Sequence, residues 1–269
     1  MILRTLFLVL LSASLVHGAW GVDGATCNFA SEFEASTSLS CNLSDQNLEA
    51  GNVAVFTCST DNVSGSGATN DHSPVTDSGG NTYTKAYEYT EGTGGAAGGA
   101  TVSLHFSKLS TGLTASVDTI TCNFASVTDK AIHLVAEFTI GVGNVVSIVG
   151  TPQGQESNGG DAGPLTISGL TSAEYLFVRG IATESNAALS MTATASYSLP
   201  TAPSDGCNNT TSGAEASDMG ACSERRIFTG TGDTSNPTLV DTTNDNASVY
   251  VALKEAAPPL TAPQAIIVD

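Results

Sequence analysis

Charge is scarce in this chain. Charged residues make up 13% of its 269 positions, about half the share of an ordinary globular protein. Basic residues are scarcer still: 8 Lys and Arg stand against 26 Asp and Glu, for a formal net charge of -18. Such a surface repels a phosphate backbone, which excludes nucleic-acid binding as a function class. An anionic membrane surface is disfavoured for the same Coulombic reason. The acidity reads first as solubility and self-repulsion, and second as an affinity for cations. Aromatic residues are also sparse, at 6% with Trp20 the single tryptophan.

Helical periodicity is missing from every segment, and so are the residues that long surface helices lean on. After the N-terminus no apolar run approaches the 18 residues a membrane helix requires. The sequence carries no GxSxG elbow, no HExxH, no P-loop and no dinucleotide fingerprint. The Gly-rich run 91–100 lacks a following Lys and helix, so it does not read as a phosphate cradle. The expectation is a chain that is not an enzyme.

What is present begins with "MILRTLFLVLLSASLVHGAWG". Arg4, the apolar run Leu6–Leu11, and Val16 with Gly18 before Ala19 read as a secretory signal peptide over 1–18. The expected setting is secreted, extracellular or at a virion surface, with no membrane span in the mature chain. Six cysteines follow, an even number that favours disulfides behind such a leader. They allow fifteen connectivities, which sequence alone does not resolve. Cys207 and Cys222 flank one polar loop and are expected to bond. Cys27 with Cys41, and Cys58 with Cys122, are the expected remainder. Sequons at Asn42, Asn62, Asn208, Asn209 and Asn246 fit a secreted chain.

Alternation of period two runs through the rest. In 51–60, Val53, Val55 and Thr57 share one face, with Ala54, Phe56 and Cys58 on the other. Val102, Leu104 and Phe106 oppose His105. Ile120, Cys122 and Phe124 line one face, and Ile132, Leu134, Ala136 and Phe138 oppose His133 and Glu137. Further strands are expected at 25–31, 36–42, 82–89, 144–150, 164–168, 174–183, 189–198, 225–229 and 247–254. Stretches 61–81, 91–100 and 200–222 read as loops. The expected architecture is all-β: a disulfide-stapled sandwich of immunoglobulin-like or jelly-roll type, with about a dozen antiparallel strands. It forms one domain over 19–255 with an insertion at 200–222. The core is expected to hold Phe56, Leu104, Phe106, Ile120, Phe124, Leu134, Phe138, Leu176 and Val251. Residues 256–269 contain Pro258, Pro259 and Pro263, so they should run extended into the strand-like end "AIIV" at 265–268.

"LEAGNVAVFTCSTDN", "VTDSGGNTYTKAYEY", "TVSLHFSKLSTGLTASVDTITCNFA", "KAIHLVAEFTIGVGN", "SGLTSAEYLFVRGIATESN" and "NDNASVYVALKE" resemble immunoglobulin-like β-sandwich proteins across roughly 25–255. Such proteins are seen as virion accessory proteins of marine tailed phages and as bacterial surface proteins. The resemblance implies fold and supplies no catalytic residues. Its usual members lack a leader and cysteines, whereas this chain has both. It also bears on the near-repeat "VDGATCNFAS" at 22–31 and "VDTITCNFAS" at 117–126. The sequences diverge at once after each copy, so they read as two similar strands of one domain.

Two ligand readings follow. Asp61, Asp71 and Asp77 lie in or beside loops, and calcium is the ion that such carboxylates would hold. His105, His133 and Glu137 read as polar residues on outward strand faces. Tyr83, Tyr87 and Tyr89 share a face by alternation and would stack on sugar rings. The leading expectation is a non-catalytic structural or attachment protein, partnered by protein subunits of an assembly and able to form homo-oligomers through its C-terminal segment. The alternative is a secreted carbohydrate-binding module, calcium-dependent, on a surface glycan.

Overall fold

The computed structural model describes residues 20–23, 28–31, 37–44, 46–61, 67–92, 99–125, 130–157, 161–184, 189–200, 206–209, 219–240 and 245–258. The described chain is all-β and antiparallel. A central sheet has the order β1-β9-β4-β7-β6, with β2 also pairing β9: Gly21–Asp23, Lys130–Thr139, Val53–Asp61, Ala100–Lys108, Thr84–Thr90 and Asn28–Ser31. A long sheet has the order β10-β18-β12-β15-β14: Val145–Ser157, Asn246–Ala256, Ala173–Glu184, Met219–Gly230 and Cys207–Asn209. A small sheet, β3-β8-β5, comprises Ser38–Asn42, Thr119–Phe124 and His72–Asp77. Two ribbons complete the set: β11 (Leu165–Ile167) with β16 (Asp233–Ser235), and β13 (Met191–Thr192) with β17 (Thr238–Leu239).

The stacking is deeper than a pair of sheets. Val53 and Val55 of β4, with Val102 and Leu104 of β7, meet Leu176, Val178, Val249 and Val251 of the long sheet. Ala54, Phe56 and Cys58, the alternate residues of β4, meet Leu39, Ile120, Cys122 and Phe124 of the small sheet. Residues 53–58 therefore have no solvent face, and none is more than 1% exposed. The far side of the long sheet is buried as well. There Tyr175, Phe177 and Tyr250 lie under Leu165 and Ile167, and Ile181 lies under Met191 and Leu239. Burying each such side chain contributes roughly 1.5–3 kcal/mol of hydrophobic stabilisation.

All the expected core residues with described side chains are buried; Leu134's side chain lies outside that set. Among the described residues two disulfides staple the stack. Cys58–Cys122 joins the central sheet to the small sheet, with Cα atoms 6.0 Å apart. Cys207–Cys222 joins β14 to β15. Cys41 is disulfide-bonded too, while its expected partner Cys27 lies outside the described residues. Such bonds persist in an oxidising, non-cytoplasmic setting.

Several local expectations change. The stretch 61–81 contains a strand, β5, which is an edge of the small sheet. Pro74 is tolerated there because an edge strand need not donate on its open side. The stretch 200–222 likewise contains β14 and the start of β15, where Met219, Ala221 and Cys222 are fully buried. The TCNFAS copies part company: Asn28–Ser31 pairs with β9 in the central sheet, and β8 belongs to the small one.

Candidate functional site

The strand β7 alternates apolar residues with Thr101, Ser103, His105 and Ser107. Its polar row does not face water. His105 is 0% and His72 1% exposed, so the expected outward placement of His105 is corrected. The small sheet covers that row, and the polar groups satisfy one another. Thr60 Oγ1 lies 2.9 Å from His72 Nε2, His72 Nδ1 lies 2.7 Å from Ser103 Oγ, and Ser103 Oγ lies 2.8 Å from His105 Nε2. His105 Nδ1 has no partner among the described residues. Ser103 has one hydroxyl hydrogen, so it donates to at most one of the two imidazoles and accepts from the other or from both.

A carboxylate closes this cluster from the side. Glu88 Oε2 accepts from the His72 backbone N–H at 3.0 Å and from Lys85 Nζ at 2.7 Å. Glu88 Oε1 accepts from Thr69 Oγ1 at 2.9 Å and from the Asp71 backbone N–H. Lys85 also donates to the His72 carbonyl at 2.7 Å. Burial holds the His72 imidazole down at about 3, and the Lys85 charge adds to it. His105 is held well below the ordinary imidazole value, again by burial first. Ser, His and Glu are the residue types of nucleophilic catalysis, but here Ser103 and both imidazoles are buried among the described residues, and burial favours the neutral imidazoles.

A second buried cluster lies on the far side of the long sheet. Arg179 Nη2 donates to the carbonyls of Ala162 at 2.8 Å and Gly163 at 3.1 Å, and to Ser248 Oγ at 2.8 Å. Glu224, its ladder neighbour, accepts from Thr194 N and Oγ1 at 2.7 Å each and from Ser235 Oγ at 2.6 Å. Burial lowers the Arg179 guanidinium to about 10, against the pull of Glu224. These groups tie the covering loops to the sheet.

The expected calcium set does not assemble. Asp71 precedes β5 and Asp77 is its last residue, so the extended strand holds them roughly 20 Å apart. The Asp77 carboxylate already accepts from Asn81 N at 2.9 Å, Asn81 Nδ2 at 2.8 Å and Tyr83 Oη at 2.8 Å. Asp61 instead lies beside Glu184, whose carboxyl is pushed up by burial and by the Asp61 and Asp245 charges, against a hydrogen bond from the Gly99 backbone. Among the described residues no three His, Cys, Asp or Glu are grouped to hold a metal. Glu137, expected outside, is fully buried and accepts from Glu49 N at 2.6 Å and Asn52 Nδ2 at 3.0 Å. His133's side chain lies outside the described residues.

The tyrosine row is also broken. The β6–β7 register skips Ala86, a bulge that reverses which face later residues occupy. Tyr83 is buried against Phe56 in one core, whereas Tyr87 and Tyr89 pack against the other. Tyr83 therefore does not share a face with Tyr87 and Tyr89. Of the sequons, Asn42 is exposed and Asn208 half-buried; Asn62 and the Asn209 side chain lie outside the described residues. Asn246 is 1% exposed, so no glycan fits on it in the folded chain.

Two of the clefts on the surface of the described residues lie at strand ends. One, of about 260 Å³, is lined by Trp20, Ser172, Ala173, Glu174, Thr229, Lys254 and Glu255, and in it the Glu174 carboxylate accepts the Trp20 backbone N–H at 2.9 Å. The other, of about 230 Å³, lies where the central sheet meets the start of β10 and is lined mainly by Thr84, Phe106, Lys108, Val145 and Val146. No protein family, no curated protein and no solved structure matches this chain.

Proposed function

We propose that this protein is a non-catalytic extracellular structural or attachment module, of virion-decoration or surface type. One observation carries the reading: the clusters bearing reactive residue types are sealed between sheets, where they bind the layers to one another. A stack with its polar groups spent internally and its layers cross-linked suits a part that bears load. The acidic surface keeps such a module soluble and apart from nucleic acid. The glycan alternative draws less support, because Tyr83 packs in a different core from Tyr87 and Tyr89.

The test is co-sedimentation of the purified protein with particles or cell envelopes from its source, beside a glycan array with and without chelator. Saturable retention on particles or envelopes supports the attachment reading. Glycan binding that chelator abolishes overturns it.

A further inference from the structure

Among the described residues β10 has one ladder neighbour. Its inner side pairs with β18, and it ends the order of the long sheet, so no described strand pairs with its outer row of N–H and C=O groups. The two halves of β10 differ. Gly150 takes a positive φ of 68°, the register shifts between Val149 and Gln153, and Pro152 guards the second half as edge prolines do. The first half, Val145–Val149, reads "VVSIV" with no charge and no proline. Val145 is 43% exposed. Left bare in water, such an edge pairs with another strand.

The 230 Å³ cleft opens at the start of this half, between Phe106 and Val146, with Thr84 on its wall. Lys108 stands at the same end, its Nζ 2.5 Å from the Asn144 carbonyl. Glu255, opposite Val146 on β18, is buried and accepts from the Gly141 N–H at 2.5 Å and from the Asn144 amide. A free apolar edge, an apolar cleft and a lysine thus occur together, in a chain with only 8 basic residues. Their complement is a short β-branched strand ending in an acid. The chain contains one: "AIIVD" at 265–269.

We propose that residues 265–269 of one copy add as an antiparallel strand to the β10 edge of a second copy. Antiparallel pairing brings Asp269 to the Val145 end, beside Lys108, and alternate apolar side chains of "AIIV" enter the cleft. Main-chain hydrogen bonds supply affinity and the cleft supplies selectivity. A second copy fits better than the same chain. β18 ends opposite Val145, so the segment would have to reverse direction twice within residues 257–264, which contain Pro258, Pro259 and Pro263. The inference deepens the assembly reading by naming the partner and the edge, and its test does not depend on any particle.

The test has two arms. A labelled, end-blocked peptide of residues 264–269 is titrated into the protein lacking 259–269 and followed by fluorescence anisotropy. It binds saturably. Lys108→Glu, its milder companion Lys108→Gln, and an Asp269→Asn peptide each weaken binding roughly ten-fold, with circular dichroism of the variants unchanged. Separately, sedimentation of the full mature chain shows concentration-dependent association that the deletion abolishes. Failure of the peptide to bind, or equal binding by a scrambled peptide or by both Lys108 variants, overturns the proposal. Peptide binding with a strictly monomeric full chain overturns the second copy and leaves the segment folded onto its own edge. Failure to bind particles overturns the attachment reading and leaves this result untouched.

Discussion

Ser103 and His105 stand two residues apart on β7, and the hydroxyl of one lies 2.8 Å from Nε2 of the other inside the protein. Residues at that spacing share a face of a strand. The same hydroxyl reaches His72 on a different sheet. One serine therefore couples two sheets and two imidazoles, and what it couples is sensitive to acid.

Stability should fall as pH falls through the imidazole range. The folded value of His72 is about 3, against 6.5 for the free group. Between those values the unfolded chain holds the extra proton, so unfolding is favoured by acid. The stability is fully present above 6.5 and is lost toward 3. The slope reaches at most about 1.4 kcal/mol per pH unit for each imidazole, and His105, shifted in the same direction, adds to it. Urea midpoints measured down through this window check it; a flat profile contradicts the buried neutral pair.

Glu184 works in the opposite sense. Its carboxyl is pushed above the ordinary value of 4.5, so the folded chain keeps a proton that the unfolded chain has lost. Stability from this group declines as pH rises above 4.5. Replacing it by the neutral isostere, Glu184→Gln, should flatten the alkaline side of the stability profile and leave the acid side unchanged. The same urea series on the variant measures this.

The two described disulfides differ in reach. Cys58 and Cys122 are separated by 64 positions, and Cys207 and Cys222 by 15. On the loop-entropy account, removing the first pair costs about 4 kcal/mol and the second about 3. Paired Cys→Ala variants, compared by denaturant unfolding, should rank in that order.

At Gly180 the long sheet passes close to the central sheet. A Cβ built there would lie 2.6 Å from Thr57 Cγ2. Gly180→Ala should destabilise by roughly 1–3 kcal/mol through overpacking. Thr57→Ser removes the clashing methyl and should recover much of that loss in the double variant, giving a coupling energy that additive sites lack.

Truncating Phe138 or Phe124 tests the two cores separately. Phe138 is fully buried and meets Trp20 edge-on at 6.0 Å. Phe124 meets the His72 ring at 5.0 Å. Each change to Ala should cost on the order of 3–5 kcal/mol. Phe124→Ala should in addition flatten the decline of stability with acid, because water reaching His72 lifts its folded value toward that of the free group; equal acid slopes for both variants contradict this.

The sequence by itself determined the class of this protein. Period-two alternation with turn residues between the runs left no room for helices, and Phe56, Leu104 and Phe138 were legible as core because they are large, apolar and in phase. The pair Cys207 and Cys222 was legible because both flank one short stretch. Tertiary structure alone decided what covers the other face of each strand. Alternation divides a strand into two rows but does not say whether the polar row meets water, and in β7 it meets a sheet whose His72 lies 31 positions away from Ser103. The bulge at Ala86 moved Tyr83 from the face of Tyr87 and Tyr89. A one-residue insertion into a ladder leaves no mark in composition, yet it exchanges inside for outside for every residue that follows.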